Sequence, residues 1–389
     1  MELLAPAGNL VKLKTAFQYG ADACYMGLDS FSLRRGDKDF GYEELEYAIK
    51  YAQEQGKKLY ITANIFPYNK DLEKLKDFFI WLDNKNIDGI IVSDLGAFSI
   101  AKELAKNTPL HISTQANILN YATVHEWEKL GAERVILARE LPLEDIKEIA
   151  DKTNIEIEVF CHGAMCMSYS GRCLISSYMA DRNANKGDCP QPCRWKYVLE
   201  EEKRPGEYYS IEEDDKGSYI FNSKDLCLIN RLKELENAGV DSIKIEGRMK
   251  SEYYLATVCK AYRNELDGVG ENNFEELQKV SHREYTEGPM FGNKDLEVRG
   301  TSSYIREATV LGVVLSSDGV FIECEQRNKF SAGDKLEIMT PDSNYIIDDC
   351  ELYDENGKAV ETLPHPQQKF YIKSNLSIPT NSFIRTTFS

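Results

Sequence analysis

No apolar run in this chain comes near the roughly 20 residues that a membrane helix needs, and DFFIWLDN breaks off almost at once. The opening residues, MELLAPAGNLVKLKTAF, lack the basic start, long apolar core and small-residue cleavage site of a secretory signal. Both absences point to a protein of the cytoplasm with no membrane partner. Histidine is scarce: the five, at 111, 125, 162, 282 and 365, form no HExxH pair, and no GxSxG elbow occurs. Hydrolytic chemistry has little to stand on. Positive charge is also short. With 47 Lys and Arg against 64 Asp and Glu, the net charge of −17 excludes the broad basic surface that gives proteins general affinity for nucleic acid.

Cysteine, by contrast, is abundant and clustered. Five of the 10 lie between residues 161 and 197. In a reducing compartment such a run is for metal or catalysis and not for disulfides. The same stretch carries Arg172, Arg182, Lys186, Arg194 and Lys196 against only Asp181 and Asp188, so an anionic partner can be met locally even on an acidic chain.

Residues 1–265 repeat one rhythm, a short apolar strand followed by an amphipathic helix. Strands are expected at 2–6, 23–27, 58–64, 89–93, 110–114, 134–138, 156–160, 218–222 and 242–246. Alternation of this kind implies parallel βα units, and so many of them on one chain suit a TIM-like (β/α)8 barrel better than an open sheet. One strand is surplus to such a ring, and it falls near a β excursion at 196–222. Residues 266–304 look like a helical linker. From 305 to 389 the period changes to alternation broken by SSDG, SAGD and DENGK, the pattern of a small antiparallel β-barrel.

Reacting groups in such barrels follow the strands, which singles out Asn64, Ser93, Asp94, Ser113, Gln115, Arg139, Glu140, His162, Glu246 and Arg248. The cysteine run begins at the same level, at the end of the strand EIEVF. Cys161, Cys166, Cys173, Cys189, Cys193 and Cys227 follow C-x4-C-x6-C-x15-C-x3-C-x33-C. Zinc knuckles need two short pairs and only Cys189 and Cys193 approximate one; an iron–sulfur cluster accepts long, irregular spacings. The spacing favours a cluster and leaves zinc open. Cys161 lies on the strand itself and is expected in the core, as are the isolated Cys24, Cys259, Cys324 and Cys350. His162 and Glu246 are the candidates for proton transfer. Arg172, Arg194 and Arg248 are the candidates for holding carboxylate or phosphate.

Three blocks carry a resemblance: LLAPAGNLVKLKTAFQYGADACYMG, then HGAMCMSYSGRCLISSY with NKGDCPQPCRWKY, then IKIEGRMKS. They resemble the peptidase U32 family over the whole barrel, and the C-terminal β domain is similar to that of its longer bacterial members. Some members were named collagenase-like proteases. Others are iron–sulfur proteins that hydroxylate quinones, ribosomal RNA or transfer RNA without molecular oxygen. The domain plan most resembles the branch that makes 5-hydroxyuridine at the tRNA wobble position with prephenate as hydroxyl donor. The resemblance implies a [4Fe-4S] cluster on Cys166, Cys173, Cys189 and Cys227, with Cys193 as the alternative to Cys189, and tRNA, prephenate and an electron or partner protein as partners. A U32 peptidase, or a sister hydroxylation protein acting on rRNA or quinone, are the alternatives.

Overall fold

A computed structural model describes the chain apart from residues 29, 33–39, 166–174, 181, 183–188, 191, 193–195, 198, 201–207, 210–212, 215–216, 220–222, 271, 294–303, 364, 366 and 388–389. The barrel alternates β1 (Glu2–Pro6), α1 (Leu10–Gln18), β2 (Ala23–Met26), α2 (Tyr42–Glu54), β3 (Lys58–Ala63) and α3 (Leu72–Asp83). It continues with β4 (Gly89–Val92), α4 (Leu95–Leu104), β5 (Leu110–Ile112), α5 (Tyr121–Leu130), β6 (Arg134–Ile136), α6 (Leu143–Lys152) and β7 (Glu156–Ala164). After α7 (Ile175–Ala180) come β8 (Asp225–Cys227), α8 (Leu232–Asn237), β9 (Ser242–Ile245) and α9 (Glu252–Asp267).

Parallel pairing runs from β1 through β7, and β9 pairs with both β1 and β7, which closes a ring of eight. The surplus strand is thereby decided. Of the expected 218–222, the described part lies in Gly217–Tyr219, which pairs with Glu213–Asp214 and Lys196–Tyr197 in a small separate sheet. β8 runs antiparallel to the far end of β7, outside the ring. Tyr285–Thr286 then adds to β8 in parallel, so part of 266–304 joins the sheet.

The floor of the barrel is ionic instead of aliphatic. Arg134 is buried and donates to Glu2 at 2.6 Å and Glu158 at 3.1 Å, while Lys244 donates to Glu158 at 2.8 Å. Tyr60 and Ser242 complete the shell of Glu2 at 2.7 and 2.9 Å. These donors hold the Glu2 carboxyl at about 2 against its burial, far below the ordinary 4.5.

The C-terminal part is an eight-stranded antiparallel sheet curled around its own core of Leu311, Val314, Ile322, Leu336, Phe370 and Ile384. Phe321–Gln326 alternates half-buried and buried residues, as a strand with one wet face must. The sheet is bolted to the barrel. Tyr19 donates to Met339 O at 3.1 Å, Lys260 to Thr340 O at 2.6 Å, and the buried Arg385 reaches Glu276 at 2.7 Å and Glu337 at 2.8 Å.

Candidate active site at the barrel mouth

The C-terminal ends of the strands gather most of the polar residues singled out above. Gln115 Oε1 accepts from Asn64 Nδ2 at 3.2 Å, from Ser93 Oγ at 3.0 Å and from Ser113 Oγ, tying three consecutive strand ends together. Asp94 does something else: its carboxylate accepts from Ala97 N at 2.9 Å and caps α4. Across the mouth, Arg139 lies 3.8 Å from Glu246, donates to Ala164 O at 3.0 Å and covers the Phe160 ring at 3.9 Å. Burial raises the Glu140 carboxyl above its ordinary value. Arg248 is buried, with its guanidinium on Gly27 O and Ser32 Oγ, where it pins the loop after β2.

β7 bulges as it leaves the ring. Lys244 faces Phe160 but Ile245 faces His162, so Cys161 is the extra residue. Its thiol is fully buried and bonds Lys244 O at 3.4 Å, in the core. Gly163 follows with φ of +103°, and a Cβ there would strike the Glu246 carbonyl. Only glycine lets β7 turn past β9 at this point.

His162 is enclosed by rings. Those of Tyr254, Tyr262 and Tyr285 stand 6.0, 5.4 and 5.5 Å away. The Tyr262 hydroxyl donates to Cys161 O at 2.8 Å and accepts from Leu228 N at 3.1 Å. Its one hydrogen is thus committed, so His162 Nδ1, 3.3 Å away, carries the proton of that contact. Burial, with the charges of His282 and Lys250 adding, lowers the ring to about 3, so it is neutral at pH 7. His111 on the barrel floor is likewise buried and held well below 6.5. Groups depressed in the folded state bind protons preferentially when unfolded, so stability falls as pH drops below 6.5. The thermal midpoint is expected to decline between pH 7.5 and 5.5, above the window in which Glu2 titrates, and to decline less in His111→Phe. A flat profile there would refute this.

Cys227 is buried on β8 directly opposite His162, at the mouth, and its thiol lies 3.9 Å from the Tyr262 hydroxyl. Burial pushes that thiol up to about 12. Asp225, two residues earlier and on the same face, accepts from Arg283 N at 3.2 Å through Oδ2, while Oδ1 has no partner among the described residues. Cys189 is half-buried and unbridged. Cys166, Cys173, Cys193, Arg172 and Arg194 lie outside the described residues. The donor set suits an iron–sulfur group: thiols are soft ligands, and the segment carrying Cys166, Cys173, Cys189 and Cys193 leaves β7 and returns to β8 side by side, where Ala164 pairs with Asp225. Among the described residues no group of three or more His, Cys, Asp or Glu side chains is placed to hold a metal ion.

Sequence inspection had not singled out Asp225, Tyr254, Tyr262, Tyr285 or His282. A signal was present for two of them, because Tyr254 and Tyr262 are eight residues apart on α9 and so share a face.

The family model described as Peptidase family U32 matches residues 8–300, and that of the Peptidase family U32 C-terminal domain matches 306–385. This chain belongs to peptidase family U32. Within it, the chain is 36% identical to tRNA hydroxylation protein P1 of Bacillus subtilis over 99% of this chain and 94% of the relative. It is 37% identical to tRNA hydroxylation protein P of Escherichia coli, covering 93% and 91%. A Methanocaldococcus jannaschii protein named an uncharacterized protease is 39% identical, covering 93% and 92%. Among the described residues of the U32 chain no helix is long and apolar enough to cross a membrane.

Proposed function

We propose that this protein is an oxygen-independent tRNA hydroxylase of the cytoplasm that forms 5-hydroxyuridine at the wobble position, with prephenate as hydroxyl donor. The observation that supports tRNA hydroxylation is similarity along nearly the whole chain to relatives named tRNA hydroxylation proteins; the donor, the position and the independence of oxygen are what the resemblance of the domain plan adds. A [4Fe-4S] cluster on Cys166, Cys173, Cys189 or Cys193, and Cys227 would supply a Lewis-acidic, redox-active centre. The protein's own groups do the rest. Arg172 and Arg194 hold donor carboxylates or RNA phosphate, the forks that guanidinium provides. Glu246, kept in place by Arg139, accepts a proton, and neutral His162 presents a fixed tautomer beside Cys227. Arg248, already spent on Gly27 and Ser32, keeps the rim in shape.

Replacing C–H by C–OH takes two electrons from the uracil ring. Where prephenate gives up its hydroxyl at the level of water, losing CO2 as its ring becomes aromatic, those two electrons pass to a two-electron acceptor, which is the role of the electron partner.

The test is mass spectrometry of tRNA nucleosides from cells lacking the gene. Hydroxyl-derived wobble uridines are expected to vanish and to return with the wild-type gene but not with Glu246→Gln. An unchanged tRNA profile with losses in ribosomal RNA or quinone would move the protein to those substrates. Hydrolysis of gelatin by the purified chain, abolished by the same substitution, would favour a peptidase.

A further inference from the structure

Between the barrel mouth and the β domain lies a cleft of about 180 Å³ whose lining includes Lys250, Lys279 and Arg306 and, among the described residues, no carboxylate, on a chain whose net charge is −17. Lys279 is answered by Glu276 at 2.7 Å and Glu337 at 3.2 Å. Lys250 and Arg306 have no ion-pair partner among the described residues. Lys250 instead donates to Ser281 O at 3.5 Å and lies over two rings, 5.1 Å from the centre of Tyr254 and 5.0 Å from that of Tyr304, whose ring also has the Arg283 guanidinium at 5.5 Å.

These groups are held in place. Residue 305 is bridged to the barrel, with Ile305 N donating to His282 O at 2.8 Å and His282 N to Ile305 O at 3.1 Å. That bridge sets Arg306, which is exposed, in the lining of the cleft and leaves Tyr304, 46% exposed, beside Lys250. Met249, beside Lys250, is 65% exposed. The cleft opens from the site already described, since Tyr254 lines it, bonds Glu246 O at 3.2 Å and stands 6.0 Å from His162.

We infer that Lys250, Tyr304 and Arg306 hold a single-stranded stretch of RNA running from the barrel mouth, with the two cations on phosphates and the tyrosine ring stacked on a base. The inference rests on the tRNA reading and adds where the strand lies. Cations without a carboxylate partner among the described residues, beside an exposed ring, are the pairing that single-stranded RNA requires, one for its backbone and one for its bases. An acidic peptide would use the cations but not the ring. Few phosphates are engaged, since the exposed Glu307 follows Arg306 and the chain as a whole is acidic, which confines the positive charge to the strip. A short loop fits that confinement and a long duplex does not.

The test is fluorescence anisotropy of a labelled tRNA anticodon stem-loop with the full chain, purified without oxygen, over a range of salt. Lys250→Glu and Arg306→Glu are each expected to weaken binding roughly tenfold and to reduce the slope of log affinity against log salt by about 0.7. Tyr304→Ala is expected to weaken it by a similar factor with the slope unchanged. Lys335→Glu, on a surface lysine paired with Asp348 in the β domain, should bind as wild type. Thermal midpoints serve as the check that each variant is folded. Wild-type affinity and slope in the first three variants overturn the inference and leave the tRNA reading standing. Equal competition by polyglutamate with no effect of Tyr304→Ala assigns the strip to acidic peptides and overturns it too. A wild-type protein that binds no RNA overturns both.

Discussion

Protein carrying Cys227→Ala, purified without oxygen, is expected to emerge colourless, without the roughly four iron and four sulfide per chain expected of the wild type if it holds the proposed [4Fe-4S] cluster. The same loss is expected for Cys166→Ala, Cys173→Ala and Cys189→Ala, and wobble hydroxylation should disappear with the iron. Cys161→Ala is the control. It sits one residue from His162 in the chain, yet its thiol is directed to Lys244 O within the core, so iron should be kept while packing suffers. Iron and sulfide assays with the visible spectrum decide the matter. Full iron in any two of the four variants would sink the ligand set, and loss in Cys193→Ala with retention in Cys189→Ala would exchange those two. Zinc in place of iron, with no visible absorption, would replace the cluster altogether.

Arg134→Ala is expected to be the most damaging single change to the fold. Arg134 and Lys244 balance Glu2 and Glu158 on the barrel floor, and Glu158 is fully buried. Removing the guanidinium leaves carboxylates in a low-dielectric interior with too few donors, an imbalance of about 3–5 kcal/mol. That is a large part of the ~5–15 kcal/mol that holds a domain together. The variant should be mostly insoluble, or unfold at far lower urea than wild type. Acid should mimic it. Because Glu2 is held at about 2 in the folded barrel against 4.5 ordinarily, the stability it contributes is complete above pH 4.5 and is lost as pH falls toward 2. A urea midpoint for Arg134→Ala near that of wild type would refute the account.

Some of the candidate site was legible without coordinates. Asn64, Ser93, Ser113 and Gln115 follow strands, and the rule that barrel chemistry sits at strand ends brought them to one network. The same rule could not separate Ser93 from Asp94, its neighbour, which turns back to cap α4. Nor could it tell that Arg248 would be enclosed by Gly27 and Ser32. Whether a guanidinium faces a ligand or a carbonyl depends on loops hundreds of residues away in the chain.

The amino-acid sequence by itself determined the alternation of strand and helix, the change to a two-residue period after residue 305, and the burial of Cys24, Cys161, Cys259, Cys324 and Cys350. Those are local properties, written in the spacing of apolar side chains. Only the tertiary structure decided which strand closes the ring, because the pairing of Glu2 with Ser242 joins residues that no periodicity connects. It also decided that Asp225, Tyr254, Tyr262 and Tyr285 surround His162 and Cys227. Two of those come from α9 and two from the paired strands at 225 and 285, and only closing the barrel and laying β8 beside β7 brings the three segments within hydrogen-bond reach of one another.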